Sequence, residues 1–134
     1  MKHFTLEPEM RATIGGAFYP TGYSMVMFPD ADDAERIGRG LIEKGMSGDD
    51  IYLLPAATVL REIVPTVELS DDPLPSAGTE AATVRAYAKL AQEGHAGLLV
   101  KTDDGDAAEQ LMEVVRTVPY SIAQRYRTLV IEDL

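Results

Sequence analysis

Two segments of this chain repeat the same order of apolar and acidic residues, and this repetition limits its fold more than any other feature. Each segment has the pattern of a buried strand, an acidic turn and an amphipathic helix. When Ala34-Glu35 is laid on Ala108-Glu109, the following residues coincide: Met25-Val26 with Leu99-Val100, Asp30 with Asp104, Asp32 with Asp106, Ile37 with Leu111, and Leu41 with Val115. Two such units predict an α+β domain of ferredoxin-like plan, a duplicated βαβ with both helices on one face of a mostly antiparallel sheet. A flavodoxin-like parallel α/β sheet is the alternative.

The remaining patterns place both units in a single domain, residues 1–134. The predicted strands are Ser24–Phe28, Ile51–Leu54 and Gly97–Lys101, with Tyr120–Ile131 as a strand or a strand pair. The predicted helices are Asp32–Lys44, Ala56–Val64, Thr79–Glu93 and Asp106–Thr117, the second and third being extra connector helices. Asp32 and Asp106 are the predicted N-caps. Residues 1–15 are predicted as a flexible arm or short edge strand, and the Pro-rich residues 68–78 as a connector loop.

Charge and composition exclude several classes of function. The formal net charge is −10, with acidic residues in both halves, which argues against nucleic acid as a partner. The chain contains no cysteine, so disulfides and thiolate chemistry are excluded. Its first residues lack the apolar core of a signal peptide, and no apolar run approaches the roughly 20 residues of a membrane span. We therefore expect a soluble, cytoplasmic protein with no membrane partner.

A family resemblance rests on the order of several short patterns. These are an Asp-rich turn with Ala34-Glu35, then Gly45, Asp49-Asp50-Ile51-Tyr52, Tyr87, Gly94, Leu98-Leu99-Val100, Asp104 and Ala108-Glu109. From about Ser24 to Tyr126 the chain resembles the heat-induced (general) stress protein family of small bacterial α/β domains. The resemblance implies a fold and a stress context. It implies no site residues, because that family has no established catalytic residues.

Clustered carboxylates raise the question of a metal site. Asp30-Ala31-Asp32-Asp33 follows an apolar strand, where haloacid-dehalogenase-like phosphotransferases place a D-x-D that holds magnesium. The chain lacks the threonine expected after the second Asp. Asp103-Asp104-Gly105-Asp106 lacks the spacing of a calcium loop. Helix capping explains both acidic turns with one mechanism, so the prediction is no metal and no cofactor.

Six side chains are the candidate ligand-binding residues: Tyr19, Tyr23, His95, Arg125, Tyr126 and Arg127. Alternate residues of a strand share a face, so Arg125 and Arg127 could hold one anion together. Exposed tyrosines, Tyr52 among them, would suit RNA bases, but no RNP-like motif is present. His95 follows Gly94 at a helix–strand junction, where it either closes the turn or acts as a base.

Three functions follow as hypotheses. The first is a non-enzymatic binding or assembly module, stress-related, that forms a homodimer through its sheet or an edge strand. The second is a regulatory domain that binds a small ligand, with the Phe18–Tyr23 loop and the Pro-rich connector lining the site. The third is a cofactor-free enzyme of the dimeric α/β-barrel type that uses His95 or a tyrosine. The residues alone do not name the ligand or the protein partner.

Overall fold

The computed structural model describes residues 1–68 and 78–134, so the connector predicted at 68–78 lies, apart from its two ends, outside the described residues. The strands are β1 (Lys2–His3), β2 (Tyr23–Phe28), β3 (Ile51–Leu54), β4 (Ala96–Lys101), β5 (Ile122–Tyr126) and β6 (Ile131–Asp133). The helices are α1 (Ala31–Glu43), α2 (Ala56–Thr58), α3 (Pro65–Glu68), α4 (Gly78–Gln92) and α5 (Gly105–Val115). No helix within these two ranges is long and apolar enough to cross a membrane.

The strands form one six-stranded sheet, in the order β1-β3-β4-β2-β5-β6 within the described ranges. β1 runs parallel to β3, and the other four pairings are antiparallel. The predicted α+β class and the mostly antiparallel sheet are therefore confirmed. The flavodoxin-like alternative is wrong, because the central strands β2 and β4 run in opposite directions.

One face of the sheet is covered by α1 and α5. Alternate residues of a strand point to opposite faces, so Val26 and Phe28 of β2 lie on this side, together with Leu98 of β4. The helix residues that coincided in the sequence are all buried against them: Ala34, Ile37 and Leu41 of α1, and Ala108, Leu111 and Val115 of α5. The helical spacing of apolar residues thus predicted the buried stripe of both helices.

The opposite face is covered by α2 to α4 and by the N-terminal segment. Met25 and Met27 belong to this second core, and so do Phe4 and Met10 from residues 1–15, the predicted arm. Phe18 donates its amide proton to the buried Thr66 Oγ1 at 3.0 Å, which joins the N-terminal segment to α3. Both faces of the sheet are therefore covered by parts of the described chain, and the sheet edges are what a second copy could reach.

The predicted N-caps, Asp32 and Asp106, are wrong by two residues in both units. Asp30 caps α1 by accepting the amide proton of Asp32 at 2.8 Å, and Asp104 caps α5 by accepting that of Ala107 at 2.8 Å. Both caps have extended backbone, as an N-cap requires, whereas Asp32 and Asp106 already belong to the first helical turns. Asp30 and Asp104 coincide in the sequence alignment, so the two units still begin their helices alike.

The helix predicted at Ala56–Val64 is interrupted rather than regular. After α2, a π-helical turn spans Val59–Ile63, with the Val64 amide donating to the Val59 carbonyl at 3.1 Å. The predicted helix ends at Val64, and Pro65 begins α3. Proline lacks an amide proton and suits the first position of a new helix, which explains the break.

Candidate functional site

A cleft of about 480 Å³ lies at one end of the sheet, where β2 begins, β4 ends and the β5–β6 hairpin turns. Its volume is within the range of small-molecule sites. Ten residues line it: Thr21, Gly22, Thr102, Asp103, Arg125, Tyr126, Arg127, Thr128, Leu129 and Val130. Three of the six predicted site residues, Arg125, Tyr126 and Arg127, are therefore brought together here.

The two arginines converge on one carboxylate, that of Glu132. Arg125 lies opposite Glu132 in the hairpin, and its Nη1 is 3.9 Å from Glu132 Oε1. Arg127 follows β5, and its Nη1 is 3.6 Å from Glu132 Oε2. Both arginines therefore face the same carboxylate of their own chain, and their shared hold on an external anion stays a prediction. Sequence analysis missed Glu132 because the strand pair was expected to end at Ile131.

The floor of the cleft is held rigidly by the loop after β4. Thr102 is buried, its hydroxyl shares a 2.7 Å hydrogen bond with Ser24, and its amide donates to the Gly22 carbonyl at 2.9 Å. Asp103, the next residue, brings a carboxylate into the same cleft. A ligand in this cleft would therefore meet the side chains of two arginines and one aspartate.

Tyr19 and Tyr126 lie in the core and do not form an exposed stacking surface. Tyr126 is 1% exposed and Tyr19 9%, and their rings meet edge to face at 4.9 Å. The Tyr19 hydroxyl donates to the carbonyl of Arg127 and thereby fixes the hairpin beside the cleft. The RNA-stacking hypothesis counted these two rings, with those of Tyr23 and Tyr52, among the exposed aromatics, and their burial under α4 and the N-terminal segment removes them from the surface.

A buried chain of hydroxyl groups runs from Tyr126 through Tyr87 to Gln124. The Tyr87 hydroxyl donates to Gln124 Oε1 at 2.9 Å and lies 2.9 Å from the Tyr126 hydroxyl. Burial raises the pKa of both phenols, that of Tyr87 also through the proximity of Tyr126. The spacing of residues along α4 gives no signal of a polar partner for Tyr87.

Tyr23 does not line the cleft, although it begins β2 close to it. Its ring lies 6.2 Å from that of Tyr52, and Lys2 Nζ lies 4.8 Å from the centre of the Tyr52 ring. Burial, and next the proximity of Tyr52, raises the pKa of Tyr23. The Lys2 contact joins β1 to Tyr52 of β3, and the ring contact joins Tyr23 of β2 to the same residue.

His95 lies at the other end of the sheet, just before β4 begins. Its Nδ1 is 2.6 Å from the hydroxyl of Ser121, and its Nε2 is 3.8 Å from a carboxylate oxygen of Glu93. The His95 amide donates to the Leu90 carbonyl, which closes the turn after α4. Sequence analysis missed Ser121, because the two residues meet only when β4 and β5 take places on either side of β2.

A second cleft of about 420 Å³ adjoins the first. Its lining residues are Glu9, Arg11, Ala12, Thr13, Ile14, Tyr19, Thr21, Glu80, Thr128 and Leu129. Thr21, Thr128 and Leu129 line both clefts and form a common wall. Tyr19, predicted as a ligand-binding residue, therefore borders the second cleft rather than the first.

The acidic turns contain no grouping suited to a metal ion. Among the residues that the structure describes, no three or more His, Asp or Glu side chains are placed to hold one. Asp30 and Asp104 each accept an amide proton at the start of their own helix.

Comparison of the chain with protein-family models, with curated proteins and with solved structures finds no match. The resemblance to the stress protein family therefore stays a prediction.

Proposed function

We propose that this protein is a non-enzymatic module that binds a small organic anion in the cleft beside Arg125 and Arg127. The observation that carries the proposal is the convergence of both guanidinium groups on one carboxylate. Guanidinium groups are suited to carboxylate and phosphate recognition, because their planar N–H donors match the geometry of these anions. A carboxylate that replaced Glu132 would meet the same two cations.

The contacts between Glu132 and the two arginines are longer than strong hydrogen bonds, so a ligand can displace Glu132. Charge-assisted hydrogen bonds of this type are about 2.7–2.9 Å long. The two contacts to Glu132 measure 3.9 and 3.6 Å. The Glu132 side chain is also partly exposed, and its pair with the exposed Arg127 contributes little to stability, about 0–1 kcal/mol. Glu132 is thus an internal competitor that a ligand carboxylate would displace at small cost.

Isothermal titration with benzoate and with inorganic phosphate tests this proposal. Arg125→Gln and Arg127→Gln are expected to weaken binding, because each removes one of the two cations. Glu132→Gln is expected to tighten it by roughly threefold, since the internal competitor is lost. The matched controls are Glu35→Gln and Arg39→Gln, which break an exposed ion pair on α1. Binding that is absent, or that responds equally to the control variants, would contradict the proposal.

The fold that presents this cleft supports the duplicated, ferredoxin-like plan. The four strands β3-β4-β2-β5 have the antiparallel order expected of two interlocked strand–helix–strand units. Met25 and Leu99, which coincide in the sequence alignment, also lie opposite each other in the two central strands. A two-fold axis through this pair would exchange the two units. The cleft lies where the second unit's turn and the hairpin meet the start of β2, and the extra β6 supplies Glu132, which pairs with both arginines.

A second candidate function is acyl transfer at Ser121, which the short contact to His95 favours. In this reaction Ser121 Oγ adds to an ester carbonyl carbon and His95 takes the hydroxyl proton. The proton then leaves with the alcohol, and water hydrolyses the acyl-serine. Turnover of p-nitrophenyl acetate tests it. Ser121→Ala and His95→Gln should each abolish turnover, and a rate equal to that of the parent protein would remove this candidate.

The homodimer stays a proposal, now confined to the sheet edges because both faces are covered in the described parts of the chain. Antiparallel pairing of β6 with its own copy about Glu132 would set two like charges opposite each other, which is unfavourable. β1 is therefore the better edge. Sedimentation at micromolar concentration tests this pairing, and a monomer there would exclude it.

A further inference from the structure

We infer that the anion bound by Arg125 and Arg127 is amphipathic, with an apolar part that extends past Leu129 into the second cleft. This inference rests on the proposed function and adds the chemical class of the ligand. The observation behind it is a set of large apolar side chains that the protein leaves in solvent beside the two clefts. Leu129 is 92% exposed, Ile14 72% and Val130 55%.

These three side chains line the clefts rather than being scattered over the surface. Leu129 lines both clefts, Val130 lines the first and Ile14 the second. Single exposed apolar residues are ordinary, but a cluster at a concave site is typical of a binding surface. Because the clefts share the wall formed by Thr21, Thr128 and Leu129, a ligand held in the first can continue into the second.

The charges of the two clefts determine which end of the ligand lies in each. The first is lined by Arg125 and Arg127 and by one carboxylate, that of Asp103, while Glu132, which pairs with both arginines, lies outside its lining. The second contains Glu9 and Glu80. The second cleft also contains Arg11, whose Nε donates to the Gly16 carbonyl at 2.8 Å. An anionic group therefore suits the first cleft, and an uncharged apolar chain suits the second, where another anion would meet two carboxylates.

Titrations with acetate, decanoate and sebacate, followed by backbone amide shifts, test this inference. Decanoate is expected to bind at least tenfold more tightly than acetate, because its chain covers exposed apolar surface. Sebacate has a chain of the same length with a second carboxylate at its far end, so it is expected to bind more weakly than decanoate. Decanoate should shift amides of both clefts, whereas acetate should shift those of the first cleft alone.

Leu129→Ser is the sharpest variant, because a side chain so exposed contributes little to folding. It is expected to weaken decanoate binding several-fold while leaving acetate binding unchanged. The control is Ile42→Ser, because Ile42 is also an exposed apolar residue but lies on α1. This variant should bind decanoate and acetate as the parent protein does.

Equal affinities for acetate and decanoate, both lost in Arg125→Gln, would overturn the inference and leave the proposed function intact. No binding of either would remove both. If Leu129→Ser converts a dimer to a monomer without affecting decanoate, a second copy covers this surface and the inference is wrong.

Discussion

The buried hydroxyl chain predicts an unequal effect for two similar substitutions, Tyr87→Phe and Tyr126→Phe. The Tyr87 hydroxyl has one proton and donates it to Gln124, so Tyr126 must donate to Tyr87. Tyr126→Phe therefore removes one accepted hydrogen bond from Tyr87. Tyr87→Phe does more, because it leaves the buried Tyr126 hydroxyl without its acceptor and Gln124 without its donor.

The magnitudes follow from the different cost of losing a bond and of leaving a buried donor unpaired. A lost hydrogen bond costs about 1 kcal/mol, and an unpaired buried group about 1–3 kcal/mol. We expect Tyr126→Phe to lower the free energy of unfolding by about 1 kcal/mol and Tyr87→Phe by about 2–3 kcal/mol. For a chain of 134 residues this corresponds to falls in Tm of roughly 3 °C and 6–9 °C. The double variant should lose less unfolding free energy than the two single variants added together, because no hydroxyl donor then remains without a partner.

Urea and thermal unfolding followed by circular dichroism measure all three values. A larger loss of unfolding free energy in Tyr126→Phe than in Tyr87→Phe would mean that the hydrogen bonds of the hydroxyl chain run in the opposite direction. An additive double variant would show that the two hydroxyls are not coupled at all. Either result would refute the reasoning.

Three further predictions concern the helix caps, one turn and the response to alkali. Asp30→Ala and Asp104→Ala should each lower the free energy of unfolding by about 1 kcal/mol in urea, and Asp32→Ala by clearly less; equal losses would contradict the cap assignment. Gly45→Ala should cost about 1–3 kcal/mol in the same assay, because its φ of 106° strains a side chain, and an unchanged midpoint would refute this. Burial raises the pKa of the two tyrosines above the ordinary value of 10. Their contribution to the free energy of unfolding is therefore complete below a pH of about 10, and it is lost as the pH rises towards the pKa of the folded state. Urea midpoints should therefore fall above that pH, less steeply in the double Phe variant, and a stability independent of pH there would contradict the assignment.

Much of the fold follows from local patterns in the sequence. Short apolar runs predicted β2, β3 and β4, and helical spacing predicted α1 and α5, all to within one or two residues. A buried strand is a continuous apolar run, and the buried stripe of a helix repeats with helical spacing. The parallel pairing of Lys2–His3 with β3 was not predictable, since a two-residue strand has no period. The N-cap of α1 was predicted two residues too late, because either carboxylate of Asp30-Ala31-Asp32 suits an N-cap. The point at which β2 ends determines which of the two is used.

The candidate site was predicted less completely than the fold. Alternation along a strand predicted that Arg125 and Arg127 share a face, and both lie beside Glu132, although Arg127 follows the end of β5. The aromatic candidates separated into different environments, because the exposure of Tyr19 and Tyr126 depends on helices and loops that pack from distant parts of the chain. His95 and Ser121 meet across β2, and a contact of this kind requires the strand order.

Anion binding at Arg125 and Arg127 can be followed residue by residue in a benzoate titration of isotopically labelled protein, with backbone amide shifts as the signal. The account predicts saturable shifts for amides at the cleft, in residues 21–22, 102–103 and 125–130. It also predicts that Arg127→Gln weakens these shifts and that Glu132→Gln reaches saturation at a lower concentration. Shifts centred on His95 and Ser121, or none at any concentration, would contradict it.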